Sequence, residues 1–327
     1  MPSMEMLINN LLSPIVLAFF IGAIATLLKS DLEFPEPVLN AISIYLVFSI
    51  AIKGGVELSS SHFLHIWKPS LATLSLTLLI PAAVFYLARR LLKLNIEDAA
   101  GLAALYGSVS SVTFLAAMTL ANRQMTPPEP FMPVMVSIME WGILVALFLA
   151  RWSLQTEKKT TADFSIKDII LETLRGRSVI LMLGGLTIGY LIGEEGMAPI
   201  KIVYEDAFRG ILVLYLLEMG MVAARQISAF VQLGIKIIAF AIFLPILHGL
   251  LGVSIGTWAG LSLGGSFVLG AIAASASYID APAAVRHALP SANPSIYLNA
   301  SLGITFPFNL LIGLPLYYKF AAWLHQS

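Results

Sequence analysis

The run IIAFAIFLPILHGLLGVSIGTWAGLSLGGSFVLGAIAASASYI, residues 237–279, contains no Lys, Arg, Asp or Glu. A membrane helix needs only about 20 apolar residues. The run is too long for one span, and Gly256 with Gly260 divides it into two. Working outward, the same criterion finds eight more spans: Leu11–Leu28, Val38–Ile52 (ended by Lys53), Pro69–Ala88, Ala99–Asn122, Pro130–Ala150, Ser178–Gly193, Ala207–Ala224 and Ser295–Tyr318. Ten spans consume most of the chain.

Composition agrees. The chain has 327 residues, 58% hydrophobic and 12% charged, about half the charged share of a soluble domain. Its mean hydropathy is +0.87. Nineteen Lys and Arg balance nineteen Asp and Glu. These figures exclude a soluble single-core domain, a disordered chain and a charge-driven nucleic-acid binder. Cysteine is absent, which excludes disulfides, thiolate metal sites and Cys nucleophiles. The first basic residue is Lys29, so the N-terminus does not read as a cleavable signal.

A polar segment, 151–177, carries Lys158, Lys159, Lys167, Arg175 and Arg177. It divides the chain into a first five-span unit (1–150), a connecting loop (151–177) and a second five-span unit (178–327). Five is odd, so the two units have opposite topology. The expected fold is an all-α polytopic membrane protein of ten helices in two inverted five-helix repeats. Thirteen of the nineteen Lys and Arg fall on the side of the 151–177 loop. That side is therefore cytoplasmic, and both termini lie outside.

Local echoes support the repeat. Gly107-Ser108-Val109-Ser110 and Ala274-Ser275-Ala276-Ser277 are 167 residues apart, and Thr113 then meets Asp280. Lys53-Gly54-Gly55 and Glu218-Met219-Gly220 are 165 apart, as are Glu140 and Thr305. Lys53 and Glu218 thus take equivalent places and are expected to pair.

The same echoes locate the chemistry. Serine competes for backbone hydrogen bonds and weakens a helix, so spans four and nine are expected to break. Broken helices persist at membrane depth only where protein or a watery cavity surrounds them. Their exposed N–H groups suit an anion and their carbonyls a small cation. A single serine would read as helix packing. Two S-x-S runs at one spacing, the second followed by Asp280 and Pro282, read as a site. Glu140 and Glu218 must be paired, protonated or ion-bound, because an ionised group at the bilayer centre costs roughly 2.5–3.5 kcal/mol. Glu140, with Thr305 and Asn309, reads as a sodium or proton site or as a structural hydrogen bond. His248 and His287 belong to no hydrolase motif, so no enzyme is expected. Trp67, Trp152, Tyr317 and Tyr318 read as interface anchors, and Pro127–Pro130 as an external turn.

The stretch from Ser275 to Arg286, the run Pro290-Ser291-Ala292-Asn293-Pro294-Ser295 and the run Gly107–Thr113 resemble the SbtA-type sodium-dependent bicarbonate transporters, along essentially the whole chain. The resemblance implies ten helices in a core and a gate domain, a homotrimer, and a bacterial inner membrane surrounding it with lipid. It implies sodium-coupled uptake of bicarbonate and a trimeric P-II-like regulator at the cytoplasmic face. No other cofactor and no nucleic acid is implied. On this reading the anion is held by Ser108, Ser110, Ser111, Ser275 and Ser277. Sodium takes oxygens from Thr113, Asp280, Glu140, Thr305 and Asn309. Glu140 matches an acidic position of the family. Val112 replaces a family hydroxyl, Tyr278 stands where the family has an acid, and the middle loop is shorter. These differences motivate two alternatives: a symporter of a small carboxylate, and a non-transporting membrane receptor.

Overall fold

The computed structural model describes residues 14–59, 66–156, 175, 177–225, 234–278 and 280–326. Among them every regular element is helical. In chain order these are α1 (Pro14–Leu27), α2 (Glu36–Ser59), α3 (Trp67–Arg90), α4 (Ile96–Tyr106), α5 (Ser111–Arg123), α6 (Met132–Glu140) and α7 (Gly142–Thr156). Then come α8 (Arg177–Met197), a short 3-10 turn (Ala198–Ile200) and a π turn (Ile202–Asp206), α9 (Phe208–Arg225), α10 (Gly234–Trp258), α11 (Leu263–Ala273) and α12 (Asp280–Ala288). The last, α13 (Pro294–Gln326), is continuous but contains π turns at Asn299–Thr305 and Asn309–Gly313. Among the described residues seven helical stretches are long and apolar enough to cross a membrane, and two shorter apolar helices, Val16–Leu27 and Leu263–Ala273, accompany them. Most of the connecting loop 151–177 lies outside the described residues.

Several boundaries differ from the sequence reading. Lys53 does not end its helix, because α2 continues to Ser59 with the lysine side chain exposed. Its aliphatic stem can run along the helix surface. Gly256 stays inside α10 and packs against Ser266 of α11. Gly260 alone ends the run, at φ 86°, a conformation that only glycine adopts without strain. The fifth span is two helices, separated at Trp141. Tyr317 and Tyr318 are not interface anchors. Both are buried, and the Tyr317 hydroxyl donates to Asn309 Oδ1 at 3.0 Å. Trp67 and Trp152 are exposed, as anchors should be.

The helices form two groups. In the first, α2 lies along α8 and α1 along α9. Glycines bring these backbones together. A Cβ on Gly22 would collide with the Leu217 carbonyl and approach Met221 N, and one on Gly189 would meet the Ile52 carbonyl and Val56 N. A Cβ on Gly220 would meet the Phe19 carbonyl and Ala23 N, and one on Gly55 the Leu186 carbonyl and Tyr190 N. Partners in these two contact sets are 165 or 167 residues apart. Small residues at such contacts are how membrane helices gain packing energy without a hydrophobic drive between them.

The second group, α3–α7 with α10–α13, holds the most buried stretch. Along Ile96–Arg123, 94% of the apolar window is enclosed by protein. Its helix ends are tied in matching ways. Asn95 caps α4 by accepting from Asp98 N at 2.7 Å, and Asp98 Oδ1 accepts from Asn293 N at 2.7 Å. Ser262 caps α11 by accepting from Gly265 N at 3.1 Å, and Glu129 Oε1 accepts from Ser262 N at 2.5 Å. Caps 95 and 262 are again 167 apart. The Pro127–Pro130 turn is therefore more than a connector, since its carboxylate sits at a helix N-terminus, where negative charge is favoured. The Asn293 run is likewise a tie between helix ends.

Asp98→Ala should lower the melting temperature in detergent by an amount equivalent to about 1–3 kcal/mol, because it leaves the Asn293 N–H without its acceptor. An unchanged melting temperature would remove the tie from the account of stability.

Candidate functional site

The site begins where helices fail. α4 ends at Gly107, whose N–H reaches the Ala103 carbonyl at 2.8 Å. Ser108, Val109 and Ser110 are not helical, and α5 starts at Ser111. Ser110 is the cap of α5, accepting from Thr113 N at 3.2 Å. α11 ends at Ala274, Ser275–Tyr278 is irregular, and α12 begins at Asp280. Ser277 Oγ accepts from Ala281 N at 3.3 Å. Both expected breaks are thus present, with a serine hydroxyl inside the first turn of each following helix.

The two breaks cross and hydrogen-bond to each other. Ser277 N donates to the Leu105 carbonyl at 2.8 Å, and Ser110 N donates to Ser275 Oγ at 3.0 Å. Ser275 Oγ in turn donates to the Ile272 carbonyl at 2.7 Å. Each break therefore supplies part of the backbone pairing that the other lost, as burial of backbone polar groups demands. Ser108, Ser110, Ser275 and Ser277 are all at most 3% exposed, while Ser111 is partly exposed. The crossing gathers four of the five anion candidates, with the N-termini of α5 and α12 beside them.

Neighbouring helices fit around this point. The first break sits under the ring of Pro81 in α3 and against Gly142 of α7. A Cβ on Gly142 would collide with the Gly107 carbonyl. At the second break, Asn309 Nδ2 donates to the Ala274 carbonyl at 2.8 Å. Positions 107 and 274, and 142 and 309, are each 167 apart. The contacts thus set Gly142, rather than Glu140, 167 positions before a polar residue of α13. One break is met by bare backbone and the other by a side-chain amide.

The five sodium candidates are distributed unevenly. Glu140 is buried, and its Oε2 accepts from the Ser108 hydroxyl. Its Oε1 has no hydrogen-bond partner. Asp280, partly exposed, lies within electrostatic reach of Glu140. Thr113 is buried one turn into α5. Thr305 and Asn309 already serve structural bonds. Thr305 Oγ1 donates to the Ala241 carbonyl at 2.8 Å and lies 2.6 Å from the Tyr106 hydroxyl. Asn309 uses both ends of its amide, toward Ala274 and Tyr317. Among the described residues no three His, Asp or Glu side chains cluster as a metal site. Any cation here would rely on neutral oxygens plus Glu140 or Asp280, a set suited to a hard cation.

Glu218 does not follow the expectation from the repeat. It is 2% exposed, and its Oε1 lies 3.7 Å from Arg225 Nη1, so its ion-pair partner is an arginine on its own helix rather than Lys53. The Tyr278 and Asn309 contacts lay beyond sequence reasoning as well. The sequence signal for Asn309 is its place beside Thr305, which the 165-residue spacing sets opposite Glu140.

Apolar membrane-length helices and a buried crossing of two broken ones define a polytopic membrane transport protein. The chain belongs to the Na+-dependent bicarbonate transporter superfamily, whose family model matches residues 14–322. It is a transporter and not an enzyme, and sodium is the coupling ion the family implies. No curated protein matches the chain.

Proposed function

We propose that this protein is a symporter that couples sodium entry to uptake of bicarbonate by alternating access. The observation that carries the reading is the crossing itself, where two helix N-termini and four buried serines converge in the protein's interior. Such N-termini favour an anion, and the desolvated charge needs a nearby cation to be tolerable. The hydroxyls of Ser108, Ser110, Ser111, Ser275 and Ser277 would bind bicarbonate. Thr113, Asp280 and the unpartnered oxygen of Glu140 would bind sodium, with Thr305 and Asn309 at its edge. The N–H groups of Ser110 and Ser277 are engaged in the crossing, so binding exchanges those bonds for bonds to the anion. One sodium per bicarbonate moves no net charge, so membrane voltage would then do no work on the cycle.

The recurrence of glycine contacts, helix caps and breaks at 165–167 residues supports two inverted five-helix repeats, 1–150 and 178–327, joined by 151–177. The pairs α1/α9 and α2/α8 would then form one moving body and the crossed helices the other. A bacterial inner membrane with both termini outside, a homotrimer and a P-II-like partner at the cytoplasmic face complete the proposal.

Proteoliposomes carrying the protein should accumulate radiolabelled bicarbonate when sodium is imposed outside, and Asp280→Ala should abolish that dependence. Uptake that ignores the sodium gradient would reject the coupling.

A further inference from the structure

The crossing is built from Gly, Ala, Ser and Val, with one exception. Tyr278 stands at the second break, partly exposed, where the 167-residue spacing places Ser111 at the first. Its ring lies edge-on to Phe306 with centroids 5.6 Å apart, and Phe306 meets Phe19 of α1 at 5.9 Å. Its hydroxyl lies 3.6 Å from Met219 Sδ on α9 and also reaches Ser110. A single phenol thus fills the gap between the serines of the crossing and the α1/α9 pair. It does so beside groups that would bind an anion.

A ring in that place has two chemical consequences. It takes up volume beside the serines that a carbon chain attached to a bound carboxylate would otherwise share. It also presents a neutral O–H donor, which suits an anion and adds no charge of its own.

We infer that Tyr278 is the specificity-determining residue of the site, restricting the cargo to an anion of bicarbonate size and excluding carboxylates that carry a carbon chain. This inference rests on the transport reading above. The bulk of the ring sets the size limit, and the hydroxyl adds affinity for the anion. Packing alone discriminates between cargoes by about 10- to 200-fold for a small change in pocket volume.

The test uses the full-length protein in proteoliposomes, with sodium-driven bicarbonate uptake as signal and pyruvate as competitor. Wild-type uptake should ignore excess pyruvate. Y278A should become sensitive to it, with the inhibitory concentration falling at least about tenfold, the low end of that range. Y278F should keep the wild-type selectivity with a raised half-saturating bicarbonate concentration. Y278S, which copies Ser111, provides a second cavity-forming variant if Y278A does not give a monodisperse peak in detergent. Selectivity unchanged in a folded, transporting cavity variant would overturn this inference alone. Absence of sodium-driven bicarbonate uptake in the wild type would overturn the transport reading, and this inference with it.

Discussion

Glu140→Ala should reduce sodium-driven uptake by about 100-fold, the upper end of what losing a supporting ligand costs a metal site. The carboxylate is buried at the end of α6, with one oxygen on Ser108 and the other without a partner. A charge in that position needs a cation or a proton. Removing it takes away the negative group nearest the first break and leaves the Ser108 hydroxyl without its acceptor. Glu140→Gln separates these effects, because the amide still accepts from Ser108 while carrying no charge. Its helices should remain assembled, and its half-saturating sodium concentration should rise by at least tenfold. Glu194→Gln, an exposed carboxylate on α8, should behave as wild type. Uptake in Glu140→Gln with wild-type sodium dependence would assign Glu140 to structure alone.

Gly220→Leu should prevent assembly of the protein. The Cβ would overlap the Phe19 carbonyl, so α1 and α9 must separate along their length. Overpacking in a rigid core costs typically 1–3 kcal/mol and more when the obstacle is backbone. Here the expected loss is about 3 kcal/mol or more. Gly22→Leu, Gly55→Leu and Gly189→Leu should fail in the same manner. Gly184→Ala and Gly210→Ala, where an added Cβ meets nothing within 4 Å, should be neutral or slightly stabilising, since alanine is the better helix former. Size-exclusion profiles in detergent distinguish the two sets. A monodisperse, active Gly220→Leu protein would show that the close helix contact is dispensable.

Much of the fold was legible because membrane insertion is a demand on local composition. Within the described residues the expected spans fall largely on helix, and the two hydroxyl-rich runs do interrupt their helices where serine density predicts. The errors share a cause. By residue type alone Lys53 reads as a boundary and Tyr317 and Tyr318 as surface anchors, because residue type stands in for environment when the environment is unknown. Tyr317 is enclosed by Gly249 of α10 and bonded to Asn309. Repeat position pairs Glu218 with Lys53, yet the ion pair that Glu218 makes is with Arg225 on its own helix.

The sequence by itself determined the class of protein, the approximate place of its apolar stretches, and the two short runs where helices stop. It did so because lipid leaves backbone groups no partner but each other, and every break must be marked by residues that tolerate it. Only the tertiary structure decided that residues 108–110 and 275–277 meet, that Glu140 faces Ser108, and that Tyr278 bridges the crossing to α9. Helices such as α10 are apolar on all sides, so no periodic pattern states which face turns inward. Rotation and depth are set by glycine contacts and by hydrogen bonds between distant segments, and those appear only when the helices are packed.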